Sequence, residues 1–151
     1  MKATLRDGVL TLLLDTPYSR INVLNMAMAQ ELADQLEDLP EGTRAVVLRS
    51  AKTGSWVNGV GLLLAGALDD PTKVHQAVAP MERAYRAVRE CPVPTVAALE
   101  GTVFGCGVEL ALQCDWRLAP ASYDTHMYLT ELPDYRMIPA FGATVDLPPL
   151  V

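Results

Sequence analysis

The sequence predicts one α/β domain in which amphipathic helices cover a buried sheet. Three short runs, at 9–14, 45–48 and 94–99, are almost continuously apolar. This pattern is typical of strands in a sheet that helices cover on both faces. Between them lie longer segments whose apolar residues recur every three or four positions, which is the pattern of amphipathic helices. A length of 151 residues suits one ordinary domain, and no internal repeat or linker divides it.

The composition indicates a soluble globular protein and excludes several classes of partner. Half of the residues (50%) are hydrophobic, and the net charge of −6 argues against nucleic acid and against nonspecific attachment to acidic membranes. No apolar run is long enough to span a bilayer and no secretory signal is apparent, so we expect a cytoplasmic location. Three cysteines without CxxC spacing predict neither a disulfide framework nor a metal site. Two histidines leave few ways to build a Ser-His-Asp arrangement.

The first half of the chain predicts a hairpin and a capped helix. Asp7-Gly8 favours a tight turn between two short strands within 4–15, because Asp-Gly suits the backbone of a hairpin turn. Asn25 is the predicted N-cap of the helix that follows. The apolar stripe of this helix consists of Met28, Leu32, Leu36 and Leu39. After the strand at 45–48, the glycines within 51–61 predict a loop.

The second helix is predicted to begin at Asp70 and Pro71 and to run towards Cys91. Asp70 is a favourable N-cap and proline is favoured at the first helical position. Pro80 lies inside the helix and predicts a kink or an interruption, because proline lacks the N–H group that continues the hydrogen-bond pattern. The apolar stripe consists of Val74, Val78, Met81, Tyr85 and Val88.

The strand at 94–99 leads into a glycine-rich turn, Gly101 to Gly107, which opens into a helix beginning near Cys106. The first N–H groups of a helix have no partner inside it and lie at the positive end of its dipole, so the turn predicts a site for negative charge. Amides that face a carbonyl in this way form an oxyanion hole. Glu109 lies close enough to share the pocket and, beside the helix N-terminus, is predicted to stay ionised. Ordinary capping of the helix is the alternative role for Glu109.

The stretch GTVFGCGVELALQCDWRLA, at 101–119, resembles the characteristic segment of the enoyl-CoA hydratase/isomerase (crotonase) family. The residues in register are Glu109, Leu110, Ala111, Cys114, Asp115, Arg117 and Ala119. Further similar blocks lie at 17–25, 56–62, 94–99 and 124–144. The resemblance implies a spiral of repeated β-β-α units related to ClpP and crotonase. It also implies that residues 1–151 form the core without the helical C-terminal region that completes the pocket and the trimer or hexamer in this family.

The resemblance assigns roles to particular residues. The backbone N–H groups of Val60 and Cys106 would form the oxyanion hole, and Gly59, Gly105 and Gly107 would line the substrate site. Backbone donors tolerate side-chain changes, so valine and cysteine at these positions are compatible with the role. Gly61, however, stands where the family usually has an aspartate. Cysteine as a nucleophile at position 106 is a further alternative, although the sequence places no base beside it.

Glu109 and Glu131 are the catalytic acids that the resemblance implies. One extra residue separates Glu131 from the Ile138-Pro139 pair, so Asp134 is the alternative second acid if the insertion lies earlier. Arg83, Arg86 and Arg89 would either meet coenzyme A phosphates or form a solvated face.

Two acids favour hydration of trans-2-enoyl-CoA to 3-hydroxyacyl-CoA, as in fatty acid β-oxidation. The substrate would be an acyl-CoA or acyl-carrier thioester, and no cofactor is implied beyond the coenzyme A of the substrate. The alternatives are an enoyl-CoA isomerase, a thioester hydrolase, a decarboxylase and a noncatalytic binding module on the same fold.

Overall fold

The computed structural model describes residues 1–61, 70–121, 125–135 and 138–151. The strands are β1 (Lys2–Arg6), β2 (Val9–Leu14), β3 (Ala45–Ser50), β4 (Ser55–Asn58), β5 (Thr95–Ala98), β6 (Thr102–Phe104), β7 (Trp116–Leu118) and β8 (His126–Tyr128). The helices are α1 (Met26–Glu37), α2 (Pro71–Arg89), α3 (Cys106–Gln113), α4 (Glu131–Tyr135) and α5 (Ala143–Asp146), followed by a short 3-10 helix at Pro148–Leu150.

The strands form two sheets, and from β3 onwards successive strands alternate between them. The larger sheet has the order β1-β2-β3-β5-β7 and the smaller sheet has the order β4-β6-β8. Among the strands of the described ranges, only β1 runs antiparallel to its neighbour, and every other pairing is parallel. The first unit, β1-β2-α1, places both strands in the larger sheet, whereas β3-β4-α2 and β5-β6-α3 each supply one strand to the larger sheet, one strand to the smaller sheet and then a helix. This is the β-β-α spiral that the resemblance implied.

The amino-terminal hairpin confirms the turn prediction. Asp7 and Gly8 both have positive φ angles, 51° and 79°, which is what a two-residue hairpin turn requires. Strand β2 is less enclosed than its apolar sequence predicts, because burial alternates along it. Leu10 and Leu12 are almost fully buried, whereas Val9 is 38% exposed. The prediction of burial on both faces is therefore wrong at this end of the sheet, where one face of the strand is only partly covered.

Helices α1 and α2 pack against each other, and their predicted caps are confirmed. The Asn25 side chain accepts a hydrogen bond from the Met28 N–H at 2.9 Å, and Asp70 accepts from the Thr72 N–H at 3.0 Å. Helix α2 continues through Pro80 without interruption. The buried side chains on the turns after Pro80 explain this continuity, because packing on the core holds those turns in place; they are Met81, Ala84, Tyr85 and Val88. No helix within the described ranges is long and apolar enough to cross a membrane.

The smaller sheet was not predicted from the sequence. Strand β4 lies inside the predicted loop at 51–61, and β6 lies inside the predicted glycine turn. Trp56 and Val57 of β4 and Val103 of β6 are each 0% exposed, so these strands belong to the core. The strands were missed because each has only three or four residues and is flanked by glycines, which dominate the local pattern.

Candidate active site

Strands β4 and β6 end in the same way, with a glycine of positive φ directly after the last strand residue. Asn58 pairs with Phe104 in the parallel register, and Gly59 and Gly105 follow them with φ angles of 77° and 52°. The Gly59 N–H donates to the Phe104 carbonyl at 2.9 Å, and the Gly105 N–H makes the equivalent bond to Tyr128 at 2.8 Å. Each glycine therefore completes the ladder and then turns the chain out of the sheet, a conformation that side chains other than glycine disfavour.

Val60 and Cys106 occupy equivalent positions immediately after these glycines. Leu24 bridges Val60 in parallel by donating to the Gly59 carbonyl and accepting from the Gly61 N–H, which directs the N–H of Val60 away from Leu24. Within the described part of the chain, neither the Val60 N–H nor the Cys106 N–H donates to a backbone acceptor. Because β4 and β6 are neighbours in one sheet, two free amides follow adjacent strand ends.

Glu131 packs directly against the glycine turn. A Cβ atom built on Gly105 would lie 2.4 Å from Oε1 of Glu131, so any side chain at Gly105 would displace this carboxylate. The other oxygen, Oε2, is buried and has no hydrogen-bond partner among the described residues. Asp134, the alternative second acid, is exposed. Of the two candidates, Glu131 is therefore the acid that borders the turn.

Glu109 is 1% exposed and is held by the chain segment that follows α4. Its Oε1 accepts hydrogen bonds from the Phe141 N–H at 2.7 Å and from the Ala143 N–H at 3.2 Å. No side-chain hydrogen bond caps the N-terminus of α3, so Glu109 does not cap its own helix. The similar block that ends at Thr144 thus contributes two backbone N–H groups, those of Phe141 and Ala143, which fix the orientation of the Glu109 carboxylate.

Burial raises the pKa of Glu109 above its ordinary value. The Ala143 and Phe141 N–H groups act in the opposite direction, and the neighbouring charge of Glu131 raises the pKa further. Loss of water on burial outweighs the favourable amides, so the net shift runs opposite to the effect expected of a helix N-terminus. The carboxyl consequently binds a proton more readily than a surface glutamate. That Glu109 is ionised at neutral pH stays a prediction.

Tyr85 and the glycines show how the turn is supported. Tyr85 is 4% exposed, and its hydroxyl donates to the Cys106 carbonyl at 2.5 Å. Its ring stacks on Phe141 with centroids 4.7 Å apart. Gly107 lets α3 lie directly on β4, since a Cβ there would be 2.1 Å from the Val57 carbonyl oxygen. The sequence placed Tyr85 in the apolar stripe of α2. Its hydroxyl, which needs a hydrogen-bond partner when buried, was the feature that could have indicated a contact with another element.

The remaining side chains of interest have structural partners. Burial raises the pKa of the Cys106 thiol, which keeps it protonated and disfavours its role as a nucleophile. Arg83 pairs with Asp34 and Glu37 between α1 and α2, and Arg89 pairs with Asp146. These two arginines connect elements of the fold, so the prediction that they meet phosphates is not supported.

Comparison with known proteins identifies the family. The sequence profile of the family described as enoyl-CoA hydratase/isomerase matches residues 4–149. The chain belongs to this family. It is 31% identical over 147 residues to the fatty acid oxidation complex subunit alpha of Shewanella halifaxensis and 30% identical over 148 residues to that of Vibrio campbellii. Each alignment covers 96% of this chain, which spans 21% of the length of these relatives.

Solved structures of the crotonase fold agree with the architecture. The enoyl-CoA hydratase of Bacillus anthracis superposes with a TM-score of 0.85 and 29% identity, over 99% of this chain and 57% of that protein. A Thermobifida fusca protein crystallised in complex with acetoacetyl-CoA superposes with a TM-score of 0.83 and 25% identity, over 99% of this chain and 60% of its own.

Gly61 stands where the resemblance implied an aspartate. A Cβ built there would make an ordinary contact with Cβ of Asn25 at 3.6 Å, so space alone does not require glycine. Leu62, which closes the similar block at 56–62, lies outside the described residues.

Proposed function

We propose that this protein adds water to the double bond of a trans-2-enoyl-CoA and forms a 3-hydroxyacyl-CoA. The observation that carries the proposal is the pair of carboxyl groups at one glycine turn. Glu131 packs against Gly105, and the buried Glu109 lies in the helix that this turn opens. The acetoacetyl-CoA bound by the Thermobifida fusca relative supports a coenzyme A thioester as the substrate class.

The thioester carbonyl would accept hydrogen bonds from the Val60 and Cys106 N–H groups. Hydration places negative charge on this oxygen as the enolate develops, and fixed amide donors stabilise that charge more in the transition state than in the ground state. The parallel placement of Gly59 and Gly105 supports the assignment, since each frees the amide that follows it.

The two acids would divide the proton transfers. Glu109 takes a proton from water while the hydroxyl adds to the β-carbon, and Glu131 gives a proton to the α-carbon. Charge is conserved, because one carboxylate becomes protonated as the other becomes ionised. The raised pKa of Glu109 supports the role, since an acid-base group works best with a pKa closer to the working pH.

The buried Oε2 of Glu131, which has no hydrogen-bond partner in the part of the chain that the structure describes, favours an enzyme over a noncatalytic binding module. A buried polar atom without a partner is costly, and an oxygen aimed at a ligand site regains its hydrogen bond when ligand or water is bound. A module that only bound a partner through its surface would have no reason to retain this arrangement.

Incubation with crotonyl-CoA tests the proposal and separates the reactions known for this fold. Hydration predicts loss of the conjugated enoyl-thioester absorbance without release of free thiol, together with formation of 3-hydroxybutyryl-CoA. Release of free coenzyme A from the same substrate would instead indicate thioester hydrolysis. An unchanged crotonyl-CoA sample at high protein concentration would contradict the proposal.

A further inference from the structure

We propose that Tyr85 is a positioning residue that holds the Cys106 amide and the Glu109 carboxylate in one fixed arrangement. The inference rests on the proposed function, in which Cys106 donates to the thioester oxygen and Glu109 moves a proton. Tyr85 itself belongs to helix α2.

The hydroxyl of Tyr85 completes the restraint on the Cys106 backbone. On one side of Cys106, the Gly105 N–H is fixed by its bond to the Tyr128 carbonyl at 2.8 Å. On the other side, the Cys106 carbonyl accepts from the Tyr85 hydroxyl at 2.5 Å. The Cys106 N–H belongs to the peptide between these two bonds, and the Gly105 carbonyl of the same peptide accepts from the Val108 N–H at 2.8 Å and the Glu109 N–H at 3.3 Å. The Tyr85 hydroxyl adds the restraint on the carbonyl side of Cys106. Burial raises the pKa of Tyr85, which keeps the hydroxyl protonated and able to donate.

The ring of Tyr85 reaches the second half of the site. It stacks on Phe141 at a centroid distance of 4.7 Å and an interplanar angle of 12°. The backbone N–H of Phe141 in turn donates to Oε1 of Glu109 at 2.7 Å. One side chain therefore contacts both the peptide group that directly follows the Cys106 amide and the residue whose backbone orients the acid.

Packing alone does not account for tyrosine at this position. The ring sits in an apolar stripe between Met81 and Val88, where phenylalanine would bury the same carbon surface. A buried hydroxyl is unfavourable unless it is hydrogen-bonded, and here its single described bond goes to the glycine turn. The hydroxyl thus helps to orient the backbone of the glycine turn and adds no apolar contact to the core.

The variant Tyr85→Phe removes the hydroxyl and keeps the ring, and Tyr18→Phe is a matched control because Tyr18 is fully exposed. In protein labelled with 15N-cysteine, the Cys106 amide reports on the turn, while Cys91 and Cys114 report on the rest of the fold. The ligand added is acetoacetyl-CoA, and crotonyl-CoA kinetics are measured on the same samples.

In wild-type protein and in Tyr18→Phe we expect acetoacetyl-CoA to shift the Cys106 amide resonance strongly. In Tyr85→Phe we expect a broadened or much smaller shift at Cys106, unchanged Cys91 and Cys114 resonances, and kcat lower by roughly 10- to 100-fold with KM within about 2-fold. The expected loss of kcat is at or below the ~10²- to 10³-fold loss that follows when an oxyanion-hole donor is removed altogether.

Two results would overturn the inference, and they differ in what else they contradict. A wild-type-like Cys106 shift and kcat in Tyr85→Phe would remove the positioning role and leave the proposed function intact. Absence of both turnover and a Cys106 shift in the wild-type protein would contradict the proposed function and the inference together. If the Cys91 and Cys114 resonances also shift in ligand-free Tyr85→Phe, that variant is disturbed throughout, and Phe141→Leu is used in its place. Phe141→Leu removes the ring stack but retains the Tyr85 hydroxyl. Normal kinetics of Phe141→Leu would contradict the link between Tyr85 and Glu109.

Discussion

Replacing Glu109 with glutamine separates proton transfer from structural support. Glutamine has the shape of glutamate, and its Oε1 can still accept from the Phe141 and Ala143 N–H groups. It cannot accept a proton from water. Loss of a general base typically costs ~10²- to 10⁴-fold in rate, so we expect kcat to fall by this factor while KM stays near the wild-type value.

The structure also predicts the effect of this change on stability. Hydrogen bonds to a charged acceptor contribute about 1 kcal/mol more than neutral ones, so the two amide bonds would together lose roughly 2 kcal/mol. Removing the charge also relieves the cost of burying it, and the raised pKa of Glu109 shows that this cost is the larger effect. The Glu109→Gln variant should therefore be at least as stable as the wild-type protein at neutral pH.

The raised pKa of Glu109 also determines how the stability of the fold changes with pH. A carboxyl whose pKa is higher in the folded state stabilises the fold most at low pH, and this contribution is lost as pH rises through the folded pKa. The free energy of unfolding of the variant, relative to wild type, should rise over that interval.

Urea unfolding of both proteins from acidic to neutral pH, with crotonyl-CoA kinetics on the same samples, tests the reasoning. Near-normal kcat with a lowered stability at neutral pH would refute it and return Glu109 to a purely structural role.

Three further substitutions test the surroundings of the turn. Glu131→Gln should lower kcat by at least about 10²-fold, whereas Asp134→Asn at the exposed neighbouring acid should leave it unchanged; the reverse pattern in steady-state kinetics would show that the second acid is Asp134. Gly107→Ala should destabilise the fold by about 1–3 kcal/mol in urea unfolding, because its Cβ would collide with the Val57 carbonyl oxygen at 2.1 Å; a wild-type midpoint would contradict the close packing of α3 on β4. Gly61→Asp should change stability by no more than about 0.5 kcal/mol, since its Cβ has room; a large loss in thermal unfolding would mean that glycine is required there for the fold.

The parts of the fold that the sequence predicted are those with strong local patterns. The Asp7-Gly8 turn, the Asn25 cap and the start of α3 at Cys106 each depend on a few neighbouring residues whose chemistry decides the backbone. Strands β3 and β5 contain two of the predicted apolar runs, and they pair in parallel with Val46 opposite Thr95. Family resemblance supplied the spiral, which no local pattern specifies.

What the sequence could not predict depends on contacts between distant segments. The pKa of Glu109 is raised by burial beneath residues more than thirty positions away, an effect that a rule based on the helix N-terminus does not include. The hydroxyl of Tyr85 meets the Cys106 carbonyl across two elements, and only the folded chain brings them together. The contact of the Glu131 carboxylate with Gly105 likewise joins segments that are distant in the sequence.

The matched ends of β4 and β6 determine the separation of the two proposed amide donors. Adjacent strands lie about 4.8 Å apart, and this spacing is fixed by the backbone itself. Two outward amides one strand apart can both reach a single oxygen atom at about 2.9 Å, since twice that length exceeds the gap between the strands. Side chains at Val60 and Cys106 can therefore change without altering the separation of the donors. In the proposed mechanism, the side chains around the thioester can therefore vary while the two backbone donors to its oxygen remain.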